Sequence, residues 1–147
     1  MMSQRTSYLL GLDVGDARVG VAIGSRLPRM TQPLATYKRA GGVAEAQIMK
    51  IIRERDIELL VAGLPLNEDG SLNEQCRKIE KFCRRLQKRI PITIEFVDEY
   101  STSLEAEELI RRRPARGRSD SKGALGVDAV SAALILKRYI EGDGIGK

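Results

Sequence analysis

LLGLDVGDARVGVAIGS, residues 9–25, has the pattern of a β-hairpin with an acidic residue next to its turn. An apolar run from Tyr8 to Leu12 precedes Asp13, and a second β-type run, Val19–Ile23, follows a short turn of small and polar residues. Aspartate is depleted in strands and is costly to bury without partners. Asp13 therefore has two interpretations: a residue that only caps the turn, or a functional carboxylate.

The composition indicates one compact α/β domain over residues 1–147. Of the 147 residues, 42% are hydrophobic and 31% are charged, which fits a single core. Met1–Ser7 is polar, and no apolar stretch approaches the roughly 20 residues needed to cross a bilayer. We therefore expect a cytoplasmic protein with no membrane partner. The formal net charge of +5 and the sequence pI of about 9.4 suit a polyanionic partner.

The chain contains no histidine, and this excludes several classes of catalytic site. It has no His general base, no Ser-His-Asp or Cys-His arrangement, and no His-ligated zinc. Its two cysteines, Cys76 and Cys83, lie on one predicted helix roughly 10 Å apart, too far for a disulfide. A metal site in this chain must therefore use oxygen ligands, which indicates Mg²⁺ or Mn²⁺.

After the hairpin, predicted helices alternate with predicted strands. Strands separated by helices pair in parallel through crossovers, so the order predicts a mixed sheet flanked by helices. The predicted elements are a loop at Arg26–Gln32, a strand at Pro33–Lys38, a helix at Val43–Arg55, a strand at Ile57–Leu64, a helix from Ser71 to about Arg89, a strand at Ile92–Val97, a helix from Thr102 to about Arg112, and a helix at Val127–Ile140.

The helix predicted from Ser71 is amphipathic, and Ser71 with Glu74 fits a capping box at its start. A solvated surface is the simpler interpretation of its charged outer face, and direct contact with nucleic acid is the alternative. The predicted core face carries Leu72, Cys76, Ile79, Cys83 and Leu86, and the outer face carries Arg77, Lys78, Lys81, Arg84, Arg85 and Lys88.

Acidic residues occupy three comparable positions in the predicted fold. Asp13 ends the first strand, Asp98 and Glu99 end a later strand, and Asp128 opens the last helix. Sites in open α/β sheets form outside the carboxyl ends of strands. Each acid alone has a structural explanation, but together their like charges repel unless a cation bridges them. We therefore predict a magnesium or manganese site for phosphodiester hydrolysis, where metal ions activate water and neutralise phosphate charge.

Polar and basic residues near these acids are candidates for substrate binding. Asn67 follows another strand, and it either contacts substrate or serves only as a turn residue. The segment Arg111–Gly126 is basic and rich in glycine and serine, which predicts a loop. The basic residues that would hold a phosphate backbone are Arg18, Lys122, Arg116 and Arg118.

Four motifs, in order, resemble those of the YqgF family, also called RuvX. Its members are described as pre-16S rRNA nucleases and were formerly described as Holliday junction resolvases. The resemblance extends over most of the chain, from about Leu9 to Tyr139. The motifs are GLDVGDARVGVAIG at Gly11–Gly24, VAGLPLNEDGS at Val61–Ser71, VDEYSTS at Val97–Ser103 and GVDAVSAALIL at Gly126–Leu136.

The resemblance implies a ribonuclease H-like fold with a five-stranded mixed sheet. It also implies a metal-dependent nuclease that matures the 5′ end of precursor 16S ribosomal RNA, with the ribosomal subunit as a further partner. The family's catalytic and metal-binding acids correspond to Asp13, Glu99 and Asp128, with Asp98 beside them and Asn67 near the site.

This chain departs from the family at Tyr100, where an arginine usually follows the Asp-Glu pair. If that arginine contacts a substrate phosphate, the contact passes here to Arg18, Lys122 or the basic segment.

Two other functions are compatible with these residues. A Holliday junction resolvase-type DNA endonuclease would use the same acids on branched DNA, but it needs a dimer that presents two sites. The sequence shows no clear interface stripe, so we expect a monomer or a weak homodimer. A catalytically silent nucleic-acid-binding module would keep the fold and the basic segment and would bind without divalent metal. An actin-like ATPase needs two such domains, and the length excludes it.

Overall fold

In the computed structural model, which describes residues 7–99 and 126–142, five strands form one sheet with helices packed against it. A short 3₁₀ turn at Ala40–Gly42 precedes the first helix. The strands are β1 (Tyr8–Val14), β2 (Arg18–Arg26), β3 (Arg29–Lys38), β4 (Ile57–Leu64) and β5 (Thr93–Asp98), and the helices are α1 (Val43–Glu54), α2 (Glu74–Arg89) and α3 (Gly126–Ile140).

The strand order is β3-β2-β1-β4-β5, with β1 at the centre. β1 pairs with β2, and β2 with β3, in antiparallel fashion, whereas β1 with β4 and β4 with β5 are parallel. The predicted mixed five-stranded sheet is therefore confirmed. Because β1, β4 and β5 are parallel, their carboxyl ends lie along one side of the sheet, which we call the carboxyl edge.

Alternation along the strands divides the apolar side chains between the two faces of the sheet. Leu10 and Leu12 of β1 belong to a core that includes Phe82 of α2 and the buried residues of α1. Leu9 belongs to a smaller core with Leu136 of α3. Helices α1 and α2 therefore cover one face, and α3 covers the other.

The loop predicted at Arg26–Gln32 is wrong, because β2 and β3 form a tight hairpin there. Arg26 pairs with Arg29, so only Leu27 and Pro28 form the turn. The prolines favoured a loop in the sequence, but Pro33 is tolerated in β3 since β3 is an edge strand and has a register shift opposite Val21/Ala22.

The predicted capping box of α2 is also wrong. The helix begins at Glu74, and its N-cap is Asn73, whose side chain accepts a hydrogen bond from the backbone N–H of Cys76 at 2.9 Å. The Ser71 hydroxyl instead donates to Asp69 within the preceding loop. Aspartate, serine and asparagine compete for local backbone and side-chain partners in such loops, which makes the cap position ambiguous in the sequence.

The predicted core face of α2 is wrong at one residue, because it included Leu72 and omitted Phe82. Leu72 precedes the helix and is 48% exposed, whereas Phe82 is fully buried. Cys76 and Cys83 are buried and free, as predicted.

Two further predictions concern the part of the chain after β5. The helix from Thr102 to about Arg112 lies outside the described residues, as does the basic segment Arg111–Gly126 apart from its last residue. Among the helices that the structure describes, none is long and apolar enough to span a membrane.

Glycines line the face of the sheet that α3 covers. A Cβ atom built on Gly11 would lie 2.7 Å from the carbonyl oxygen of Ala132, and one on Gly20 would overlap the carbonyl of Asp128. On Gly24, a Cβ atom would lie 2.8 Å from Leu136. The backbone of α3 therefore packs directly on Gly11 and Gly20, which requires residues without side chains at these two positions.

We predict that Gly20→Ala lowers the free energy of unfolding by about 1–3 kcal/mol, the usual cost of overpacking a core. The added methyl group meets the backbone of α3, including the amide nitrogen of Ala129 at 2.8 Å, so the helix must shift. Urea denaturation followed by circular dichroism measures the change.

Gly63→Ala is the matched comparison. Its nearest new contacts would be the side-chain atoms Ile135 Cδ1 at 2.6 Å and Glu99 Oε1 at 2.7 Å, which can move more easily than a helix backbone. We expect a smaller loss there. A Gly20→Ala protein as stable as wild type would contradict the close packing of α3.

Candidate active site

Asp13 lies inside β1, one residue before its end, rather than where the strand leaves the sheet. It pairs with Gly20 of β2, and its side chain is half-buried. Side chains four residues apart in a strand lie on the same face of the sheet. Leu9, four residues before Asp13, belongs to the core under α3, so the Asp13 side chain also lies on the face that α3 covers. Asp13 therefore sits between the hairpin and the first turn of α3.

Glu99 follows β5 directly and remains tied to the sheet. Its backbone N–H donates to the carbonyl of Leu64 at 2.9 Å, which continues the pairing in which Asp98 lies opposite Leu64. Its carboxyl group lies over Gly63, where a side chain would collide with it. The glycine in β4 thus leaves the room that Glu99 occupies.

Asp128 is the third residue of α3, and its carboxylate accepts a hydrogen bond from Arg18 Nε at 2.9 Å. Arg18 is the first residue of β2, directly after the hairpin turn. The side chains of Arg18 and Asp128 are 63% and 29% exposed. The close packing of α3 on Gly20 fixes the backbone of Asp128 against the strand that carries Arg18.

The two half-buried acids have strongly raised pKa values. The pKa of Asp13 is raised to about 7, mainly by burial and also by the charge of Asp128, while the Ser131 hydroxyl opposes the rise. The pKa of Glu99 is raised to about 8, mainly by burial and also by the charges of Asp13 and Asp98. The predicted acids are thus electrostatic neighbours: Asp128 acts on Asp13, Asp13 acts on Glu99, and Asp98 acts on Glu99.

Ser131 is not among the residues predicted from the sequence, and it is buried one helical turn after Asp128. The Ser131 hydroxyl lowers the pKa of Asp13. However, its oxygen has no partner at hydrogen-bond distance and angle among the residues that the structure describes. The contact between the Ser131 hydroxyl and Asp13 is therefore weak in this structure. The i, i+3 spacing from Asp128 is the signal that places Ser131 on the same helix face.

The donor set fits Mg²⁺ or Mn²⁺, because every group is a carboxylate and both ions prefer oxygen ligands. A cation would also relieve the repulsion that raises the pKa values of Asp13 and Glu99. Within residues 7–99 and 126–142, no three acidic side chains are already arranged as a metal cluster. A cation shared by these acids would therefore draw their side chains closer together.

Asn67 lies in the loop after β4, and its side chain is used within that loop. Its amide nitrogen donates to the Ser71 hydroxyl at 2.9 Å, and its amide oxygen accepts from Asn73 at 3.0 Å. These contacts correspond to the structural alternative, so its predicted role toward substrate stays a prediction. The other predicted substrate residues, Arg116, Arg118 and Lys122, and the departure at Tyr100, lie outside the described part of the chain.

A solved structure supports the fold. The chain is similar to T. thermophilus RuvC in complex with Holliday junction substrate, with a TM-score of 0.56 over 94% of this chain and 98% of that one. At 14% identity this likeness shows the fold alone, which is the ribonuclease H-like fold implied by the sequence resemblance.

Sequence relatives cover nearly the whole chain. A protein of Synechococcus elongatus named "Putative pre-16S rRNA nuclease" is 44% identical over 133 residues, which are 90% of this chain and 87% of the relative. A Pseudomonas putida protein of the same name is 38% identical over 134 residues, or 90% and 94%. The family model described as "RuvX: Holliday junction resolvase" matches residues 7–142. The chain therefore belongs to the RuvX family.

Proposed function

We propose that this chain is a cytoplasmic, divalent-metal-dependent nuclease that matures the 5′ end of precursor 16S ribosomal RNA. The observation that carries the proposal is the set of coupled acids, Asp13, Asp98, Glu99 and Asp128, at the carboxyl edge. The relatives' names supply the RNA substrate, with the ribosomal subunit as its context. A catalytically silent module would have no need to keep crowded carboxylates that raise one another's pKa.

In this proposal Asp13, Glu99 and Asp128 hold Mg²⁺ or Mn²⁺, with Asp98 beside them. The bound metal supplies activated water and neutralises charge on the scissile phosphate. Arg18 donates to the carboxylate of Asp128 at 2.9 Å. If Asp128 held a metal ion instead, the Arg18 guanidinium would be available to a substrate phosphate.

Lys122, Arg116, Arg118 and Asn67 complete the proposed substrate contacts. Phosphate contacts of this kind position a nucleic acid without selecting its sequence. The precise cleavage position therefore depends on how the RNA is presented rather than on these side chains alone.

Cleavage of branched DNA is the second candidate, favoured by the description of the family model. The same acids would act on each of two symmetric strands, so two copies of the chain would have to bind one junction. A four-way DNA junction, assayed beside precursor rRNA, separates the two functions, since a nuclease specific for rRNA leaves the junction intact.

We predict that Asp13→Asn abolishes metal-dependent cleavage while the fold stays intact. The amide keeps the shape of the carboxyl group but removes its charge, and activity should fall at least about 100-fold, the scale on which one charge-stabilising group acts. The measurement is gel analysis of 5′-extended precursor 16S rRNA incubated with protein, with and without Mn²⁺.

Asp16→Asn is the matched control, because Asp16 lies three residues away in the exposed hairpin turn. This variant should cleave as wild type does. Equal cleavage by Asp13→Asn and wild type would refute the assignment of the acids, and cleavage that persists in EDTA would refute the metal dependence.

We further predict that Asp13 destabilises the metal-free protein as pH rises. Its pKa is about 7 in the folded protein, against an ordinary value of 3.8. The folded state therefore binds the proton more tightly than the unfolded chain, so the stability of the folded state falls as pH increases from about 4 to about 7. In EDTA at pH 8, Asp13→Asn should melt about 5 °C above wild type.

This difference in Tm should be much smaller near pH 4, where Asp13 is protonated in the folded state and partly protonated in the unfolded chain. Mn²⁺ should also shrink it at pH 8 by stabilising wild type alone. Differential scanning fluorimetry across pH 4–8 measures both effects. A wild-type Tm above that of Asp13→Asn in EDTA at pH 8 would show that Asp13 is not a buried, crowded carboxyl.

A further inference from the structure

Helix α2 carries a continuous basic face that the proposed chemistry does not use. With about 100° between successive residues, its seven cationic side chains fall within an arc of about 140° around the helix. All of them are exposed. We call this set the α2 basic face, and it consists of Arg77, Lys78, Lys81, Arg84, Arg85, Lys88 and Arg89.

The core fixes the direction in which this face points. Phe82, Ile79 and Leu86 on the other side of the helix are buried against the sheet. Because the helix cannot rotate without exposing these side chains, the cations are held on the outer surface. That surface lies on the opposite side of the sheet from α3 and Asp128.

Little in the described protein neutralises the α2 basic face. Arg77 lies 3.7 Å from Glu74, and Arg85 lies 3.7 Å from Glu45 of α1. The other five cations have no carboxylate within ion-pair distance among the described residues. Like charges three or four residues apart on a helix repel by roughly 0.2–0.5 kcal/mol per pair, so the face is favourable only toward an anionic partner.

The spacing of the cations fits an extended polyanion. Arg77, Lys81, Arg84 and Lys88 form one row along the helix, about 16 Å from end to end. This span matches about five steps of a nucleic-acid strand. The exposed side chains of α2 include no aromatic residue, since Phe82 is buried. Single-stranded RNA is usually bound by stacking on aromatic side chains, so contact through phosphates alone favours a base-paired backbone.

The chain direction connects this face to the proposed active site. The loop at residues 65–73 leaves the carboxyl edge, and α2 then runs back along the sheet from Glu74. The Arg77 end of the row is therefore the end nearer to Asp13 and Glu99. A double-helical segment on α2 would lie beside the edge where cleavage is proposed.

We propose that the α2 basic face binds the phosphate backbone of base-paired nucleic acid, outside the catalytic acids. The identification of that nucleic acid as a stem of the precursor rRNA rests on the proposed function. The contact gives affinity and orientation but no base readout. Its contribution depends strongly on salt and needs no metal.

The test compares two triple variants of the full chain in EDTA, where the proposed cleavage cannot occur. The first is Lys81→Gln, Arg84→Gln and Lys88→Gln. The matched control, Arg29→Gln, Arg55→Gln and Lys137→Gln, removes the same charge from exposed residues away from α2 and the carboxyl edge. Fluorescence anisotropy measures binding to a labelled RNA hairpin and to a single-stranded RNA of equal length, over a range of KCl concentrations.

We expect the α2 variant to bind the hairpin at least ~10-fold more weakly at 0.1 M KCl. The slope of log K against log[KCl] should become shallower by about 2–3, and the control variant should change it by less than about 1. Thermal melting should show both variants folded. Equal losses in the two triple variants would overturn the proposal, because only net charge would then matter. An equal loss on hairpin and single strand would overturn the preference for base-paired nucleic acid.

The outcome is independent of catalysis. A protein that binds the hairpin through α2 but cleaves no RNA in Mn²⁺ would refute the proposed function and leave this inference standing. A protein that cleaves precursor rRNA while the α2 variant binds the hairpin normally would refute this inference alone.

Discussion

The packing of the α3 backbone on a glycine-lined sheet is the contact on which the site depends. Without a side chain at Gly20, the carbonyl of Asp128 lies directly against β2, and Gly20 is the residue that pairs with Asp13. Two acids 115 positions apart in the sequence thus become electrostatic neighbours. Gly63 lies in β4, on the other side of β1, and its lack of a side chain leaves the room that the Glu99 carboxyl group occupies. The glycines of the hairpin and of β4 are therefore requirements of the site as well as of the fold.

This contact has an energetic consequence. Asp13 and Glu99 are removed from water and placed beside other acids, so each holds its proton to a pH well above the ordinary value. Protonation lowers this repulsion, and so does ion pairing, as between Arg18 and Asp128. A divalent cation would compete for the same carboxylates, which would couple metal binding to pH and to stability.

The sequence was sufficient for features that depend on local pattern. β4 has the predicted bounds, Ile57–Leu64, because a continuous apolar run predicts a strand buried on both faces. The sequence was insufficient where a structural feature depends on competing partners or on residues distant in the chain. The cap of α2 at Asn73 competes with Ser71, and the loop predicted after β2 becomes a hairpin because edge pairing accepts Pro33. Ser131 was missed because its proximity to Asp13 arises only when α3 packs on the sheet. The predicted catalytic roles come from the family resemblance, and the structure shows which of these residues are neighbours.

The same crowding that suits a metal site opposes the binding of a nucleic acid. Carboxylates at the carboxyl edge repel phosphates until a cation neutralises them, so in the proposed nuclease the affinity for RNA would come from cations elsewhere. Arg18 contacts one of these acids, and it is already paired with Asp128. The exposed cations of α2 lie across the sheet, where they are not drawn into the acidic site. In the proposed arrangement, the basic face of α2 and the acidic carboxyl edge are separate, so that both would keep their charge. The sheet between them would fix their relative position.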